Sequence, residues 1–543
     1  MSWSSSTTDR ERPRVDPILL EVLKHGFTML AEEMGVVLMR SACSANIKER
    51  RDFSTAVFDG AGRMVAQAAH IPVHLGSMPL AVDAVLARGD LARGDMVLVN
   101  DPFCGGTHLP DMTLVRPVFL PGDTRPRFLL ANRAHHADVG GMAPGSLPLS
   151  NEIYQEGLRV PPVKLLRDDR IDRDLLALIC ANVRTPEERE GDLFAQVAAN
   201  RVGEKRLLEL VETHGVPVIA HACDALMEHG ARMMGSVIAG IPDGVYRFED
   251  VMDDDGVGAR AIPIRCTVEI QGSRAVVDFR ETAAEVRGSI NAVRAITLSA
   301  VLYVFRLLAP ESLPANAGCL RPIQVLTRPG TLTDARLPSA VAAGNVETSQ
   351  RIVDVLLGAL AQALPNRIPA ASCGTMTNLA IGGRDPRTGV PFAYYETIAG
   401  GAGAGPEGDG ASGLQTHMTN TRNTPVEALE QAFPLRVREY SLRSDSGGRG
   451  RHRGGEGIVK RFEILAPARV TLVAERQDHP PYGLEGGEPG ACGTHVLVRD
   501  GSRTRLPAKC TLEAQPGDVL VVETPGGGGW GRALEGRGGD GTV

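Results

Sequence analysis

The 543 residues contain no CxxC pair, no GxxxxGK[ST] stretch and no apolar run of membrane-spanning length. The first absence removes tetrahedral zinc ribbons. Nine cysteines, an odd number without spacing pattern, suit reduced thiols rather than a disulfide framework. The second removes the commonest phosphate-cradling loop, so nucleotide binding is not expected in this chain. The third argues against a membrane span, which needs about 18 or more apolar residues. The N-terminal stretch MSWSSSTTDRERPR lacks an apolar segment of signal-peptide length. A cytoplasmic protein is therefore expected. Excess positive charge is missing too: the net charge is -7, which gives no general attraction to nucleic acid or to an acidic membrane surface. Aromatic residues make up only 4%, so the core must be built from Val, Leu, Ile and Ala.

Glycine and proline, 62 and 36 residues, are abundant and call for many turns between short elements. The length suits about three structural units. Asp16 and Pro17 read as the cap and first residue of a helix that runs to about Met39. Residues 53–68 read as a hairpin around Asp59-Gly60, and 96–100, 113–119 and 127–136 as three more strands. Helices dominate about 170–240. A second hairpin spans 264–282, and further helices follow at 292–308 and at 349–364, the latter capped by Ser349. No regular strand–helix alternation is present, so the expected class is α+β with several mixed sheets. The expected organisation is a main catalytic region over 15–433 and a Gly-rich β-domain over 434–531, with disordered tails at 1–14 and 532–543. The segment 400–413, GGAGAGPEGDGASG, cannot form a core and reads as mobile or wrapped around a ligand. The loops 446–457 and 525–531 read as tight turns.

Histidine carries the chemistry. Of 13 histidines, His70, His74, His108, His135 and His136 fall within one short region, beside Asp52, Asp101, Asp111 and Asp138. In NDPFCGGTHLPD (100–111) a turn over 108–111 brings His108 and Asp111 together at a strand end. In NRAHHADVGG (132–141) the pleat puts His136 and Asp138 on one face and His135 on the other. Imidazole and carboxylate converging in this way suit a divalent cation such as Zn, Mn or Fe. His108, Asp111, His136 and Asp138 are the expected ligands. His135 supports them, or replaces His136. The competing explanation is a pair of hydrogen-bonded loop ends. Asp52 is a candidate base, and His74 is a candidate for lining the substrate pocket. In HMTNTRNTPVEALE (417–430), Thr424 and Glu427 would form a capping box. Arg422 and Asn423 just before it could bind a carboxylate or phosphate.

Taken in order, ERRDFSTAVFD, HIPVHLGSMP, NDPFCGGTHLPD, NRAHHADVGG, GNVETSQRIVD, MTNTRNTPVEALE, SGGRGRHRGG and PGGGGWG resemble the hydantoinase B/oxoprolinase family over about residues 15–531. The resemblance implies a B-type subunit of an ATP-dependent enzyme, related to N-methylhydantoinase, 5-oxoprolinase, caprolactamase and the acetone and acetophenone carboxylases. ATP would be bound by an A-type partner subunit in a hetero-oligomer, which fits the missing nucleotide motif. The resemblance also implies a divalent metal at His108, Asp111 and the AHHADVGG residues, with Asp52 nearby. The expected reaction is ATP-dependent opening of a cyclic amide or imide, with Asp52 or His135 as general base. The alternatives are a subunit of an ATP-dependent ketone carboxylase and a non-catalytic partner of the A subunit.

Overall fold

The computed structural model describes residues 16–533. Apart from Arg532 and Ala533, the expected tails lie outside the described residues. The first helix, α1 (Pro17–Ser41), starts as its cap predicts, with the Asp16 carboxylate accepting from the Ile18 amide at 3.3 Å. The chain continues through α2 (Ala45–Lys48), β1 (Phe53–Asp59), β2 (Met64–Ala69), α3 (Met78–Leu86), β3 (Met96–Val99), β4 (Asp111–Val118) and β5 (Phe128–His135). Then come β6 (Val163–Arg167), β7 (Arg170–Ile171), α4 (Arg173–Ala181), α5 (Pro186–His214) and α6 (Val216–Ala239). The seven strands form one antiparallel sheet in the order β2-β1-β5-β4-β3-β6-β7. One face packs on α1 and α5, where Phe27, Met34 and Ala199 meet Leu130 and Ala134. The other packs on α3, where Val82 and Val85 meet Val97, Val115 and Leu129. Both faces are therefore buried, and every residue of β4 and β5 is buried.

A second sheet, β11-β10-β9-β8, comprises β8 (Gly244–Asp254), β9 (Arg260–Gln271), β10 (Arg274–Asp278) and β11 (Ile323–Leu326). Strand β8 is a strand that sequence periodicity left unassigned. Helices α7 (Arg294–Leu307) and α8 (Ser349–Ala361) share one large core with this sheet. Helix α8 does not start on a Ser349 cap. It continues from a π-helical turn, Gly344–Thr348, and the Ser349 hydroxyl donates back to the Asn345 carbonyl at 2.7 Å.

Two further sheets stack as a sandwich. One is β13-β12-β16-β19, from β12 (Asn378–Arg384), β13 (Pro391–Thr397), β16 (Ala468–Val473) and β19 (Lys509–Ala514). The other is β14-β15-β20-β17-β18, from β14 (Leu435–Arg443), β15 (Gly457–Ile464), β17 (Thr494–Arg499), β18 (Ser502–Leu506) and β20 (Val519–Glu523). Leu379, Ile381, Leu472, Phe462 and Leu520 fill the core between them. Strand pairing thus crosses the boundary expected at 433/434. Composition shifts where glycine loops begin, whereas β12 takes its partner β16 from the far side of that shift. Helix α9 (Val426–Ala432) precedes β14 without the expected capping box, and the Thr424 hydroxyl is buried without a partner.

The glycine segments correct two expectations. Residues 400–413 are held against other backbone segments rather than free, and 446–455 and 525–531 are not tight turns. They lie side by side as hydrogen-bonded extended chains: Gly401 donates to Pro525, Ala404 to Gly528, Gly455 to Ala402 and Gly527 to Gly455, at 2.8–3.0 Å. Backbones approach this closely only without side chains. A Cβ on Gly527 would overlap the Ala402 carbonyl, and one on Gly403 the Ala370 carbonyl.

Candidate metal centre and adjoining cavity

The centre is built where β4 begins and β5 ends. The turn before β4 closes through the Asp111 amide and the His108 carbonyl at 3.2 Å, and strand register places Asp111 directly across from His135. Paired residues share a face, so both side chains emerge on the α3 side of the sheet. His108 Nε2 lies 3.0 Å from Asp111 Oδ1, His135 Nδ1 lies 3.1 Å from the same oxygen, and the two imidazole nitrogens are 3.2 Å apart. All three side chains are almost fully buried. The second Asp111 oxygen accepts from the Thr107 hydroxyl at 2.6 Å and lies 3.5 Å from His74 Nε2. Asn345, on the π-turn, brings its amide nitrogen to 3.1 Å from His108 Nε2.

Burial pushes the Asp111 carboxyl up, but His108, His135 and His74 outweigh it and hold the group well below the usual carboxylate range. Burial pushes His108 down, and the neighbouring Asp111 charge carries it back above its ordinary value. Two nitrogens and a carboxylate oxygen converging within 3.2 Å of one another match adjacent ligands on an ion with bonds of about 2.0–2.2 Å. The donor set therefore fits a divalent cation. The other ring nitrogen of His135 and the side-chain amide oxygen of Asn345 are buried without partners, as groups beside a ligand site can be.

A small cavity of about 20 Å³ adjoins the centre. Asp52, His74, Asp111, His135, Asn345 and Tyr395 form part of its lining. The Asp52 carbonyl accepts from the His135 amide at 3.0 Å, which ties the start of β1 to the end of β5. The Tyr395 ring stacks on His135, with centroids 4.9 Å apart and planes 20° apart. Its hydroxyl donates to Asn378 at 2.8 Å, and Asn378 donates to Glu347 at 2.6 Å. Burial pushes Glu347 up to about 8.

The structure thus gathers His108, Asp111, His135, His74 and Asp52. His136 and Asp138 do not join them. The pleat does separate His135 from His136, but the centre lies on the His135 side. His136 points toward α5, with Nε2 3.0 Å from Gln196, and Asp138 pairs with Arg184 at 2.8 Å. Because both faces of the sheet are buried, parity could not show which face held the site. Arg422 is exposed, and Asn423 is tied to Glu396 at 2.5 Å and to the Thr397 carbonyl at 2.9 Å. Neither lines the cavity. Sequence reasoning missed Thr107, Asn345 and Tyr395 as site residues, although Asn345 lies within the GNVETSQRIVD motif.

The model of the hydantoinase B/oxoprolinase family matches residues 16–533. The chain belongs to this family. It is 37% identical to 5-oxoprolinase 1 of Arabidopsis thaliana over 95% of its length, but spans only 42% of that enzyme. It is 30% identical to a Pseudomonas protein named as the B-type component of a D-/L-hydantoinase, covering 96% of this chain and 91% of that one. Among solved structures, the ATP-dependent caprolactamase of Pseudomonas jessenii superposes with a TM-score of 0.88 at 32% identity, covering 96% of this chain and 92% of that chain. Acetone carboxylase shares the fold, with a TM-score of 0.88 at 19% identity over 95% of this chain and 76% of that chain. No helix among the described residues is long and apolar enough to cross a membrane.

Proposed function

We propose that this chain is the B-type component of an ATP-dependent, metal-dependent amidohydrolase. It would open a cyclic amide or imide of hydantoin, 5-oxoproline or lactam type, with a separate A-type subunit that binds ATP. The observation that carries the reading is the buried His108–Asp111–His135 triad, whose Asp111 and His135 line a small cavity, in a chain related to ring-opening enzymes. His108, Asp111 and His135 would hold the cation, with His74 and Asn345 beside them. A divalent cation there, Zn, Mn or Fe, would supply Lewis acidity toward a substrate oxygen or a water.

The protein's own groups do the rest. Asp52 lines the cavity outside the triad and takes the proton of the attacking water. Stacking on Tyr395 holds the His135 ring in one plane, so His135 serves as a ligand rather than as the base. Thr107 fixes the rotamer of the Asp111 carboxylate. Burial of the whole set excludes bulk water, which strengthens each electrostatic contact.

The test is reconstitution with an A-type partner and an assay of hydantoin, 5-oxoproline and caprolactam. Ring opening that requires both chains and ATP is expected for at least one of them. Opening by this chain alone without ATP overturns the proposal.

A further inference from the structure

Arg50, two residues before Asp52, is fully buried, and its hydrogen bonds all go to neutral oxygens. Its guanidinium donates to Asn46 at 3.3 Å, the Tyr395 carbonyl at 3.0 Å, the Thr397 hydroxyl at 3.1 Å and the Thr421 hydroxyl at 3.5 Å. Its Nε has no partner. Four other arginines are buried as completely. Arg189, Arg351 and Arg476 are each ion-paired with carboxylates. Arg133 bonds to Thr113, Ser77 and the Gly105 carbonyl, none of which lines the cavity. The Arg50 guanidinium rests over the Tyr395 ring, 4.8 Å from its centroid, and Arg50 alone of the five sets a charge with no carboxylate partner directly behind cavity-wall hydroxyls, since Thr397, Thr419 and Thr421 all line the cavity. A buried charge without a counter-ion is costly unless a ligand supplies one.

Donor chemistry fixes the direction of these hydrogen bonds. Gln415 Nε2 is 3.2 Å from both the Thr397 carbonyl and the Thr397 hydroxyl. A carbonyl only accepts, so the nitrogen of that amide faces Thr397. The Thr397 hydroxyl therefore receives N–H groups from Arg50 and Gln415, which fill both of its lone pairs. Its own proton goes to the Thr421 oxygen, 2.8 Å away. Thr421 accepts from Thr397 and Arg50, so its proton is sent onward, toward Thr419 at 3.5 Å or into the cavity. The chain starts at a cation that can only donate and ends in O–H donors at the cavity wall.

The geometry points to an anionic-oxygen subsite at Thr419 and Thr421, backed by Arg50, which takes a carboxylate or phosphoryl group of the substrate. The inference rests on the amidohydrolase reading for what the rest of the cavity does. Its two sources are a carboxylate carried by the ring itself and the phosphoryl group left on an ATP-activated ring oxygen.

The test is calorimetric binding to the full chain without partner or ATP, so it does not depend on ring opening. Inorganic phosphate, 5-oxoproline and neutral caprolactam are titrated into wild type, Thr421→Val and Thr419→Val, with metal content and melting checked for each. Wild type is expected to prefer an anion over caprolactam, and Thr421→Val to lose about tenfold in anion affinity at unchanged metal content, a change of about 1.4 kcal/mol. Loss for 5-oxoproline alone assigns the ring carboxylate, and loss for phosphate assigns the phosphoryl group. If Thr421→Val does not fold, Thr419→Val, one step along the chain, carries the same comparison. Anion affinities at the wild-type level in the folded variants, or a wild type that binds no anion better than caprolactam, overturn the inference. A failed ring-opening assay with this binding intact would fault the amidohydrolase reading alone.

Discussion

At Asp111 one carboxylate faces three imidazoles and a hydroxyl in a space closed to solvent. Such convergence of lone pairs is costly without a shared cation or proton, so each triad member should matter to metal retention. His108→Ala and His135→Ala are expected to lower bound divalent metal to a small fraction of the wild-type amount, read by elemental analysis. His136→Ala is expected to keep it and to lose about 1–3 kcal/mol of stability, because Gln196 is left without its buried partner. Equal metal loss in all three variants would remove the assignment. The pairing of His108 with Asp111 was legible in the sequence, because a four-residue turn is local. The choice between His135 and His136 was not. It depends on which buried face carries the partner Asp111.

Among the elements, those with strong local signals formed as their sequences suggest. Asp16 caps α1, and Asp59 closes the β1–β2 hairpin by accepting from the Ala61 and Arg63 amides at 3.0 and 2.9 Å. The elements that escaped sequence reading depend on distant partners. The π-turn at Gly344–Thr348 and the glycine segments are both held by contacts remote in sequence. Within the 400–413 segment this gives a sharp contrast. Gly403→Ala would drive a Cβ into the Ala370 carbonyl and is expected to cost at least about 2 kcal/mol. Gly408→Ala, where nothing lies within 4 Å, is expected to stay within about 0.5 kcal/mol of wild type. Chemical denaturation of the two variants checks this. Equal stability would show that the segments are not packed.

Over the whole molecule, the sandwich joins strands from both sides of residue 433. A chain ending there keeps β12 and β13 but loses β16 and β19, and so exposes Leu379, Ile381 and Tyr394. Such a truncation is expected to aggregate or to lose its cooperative melt, read by light scattering and calorimetry. A monodisperse fragment that melts sharply would show that the two parts fold independently. The interdependence has a functional side. Tyr395 and Thr397, at the end of β13, line the cavity, so the sandwich holds part of the site.

The sequence by itself determined the family, the α+β class, most helix positions, the strands β1–β5, β9 and β10, and the turn that joins His108 to Asp111. Those follow from local turn chemistry, residue alternation and motifs that read in order along the chain. Only the tertiary structure decided that His135 rather than His136 meets Asp111, that Asn345 and Tyr395 close the centre, and that Arg50 lies behind the threonine wall. The physical reason is that strand register and two-sided burial are fixed by pairing across distant segments. A side chain's face can be read locally, but what waits on that face cannot.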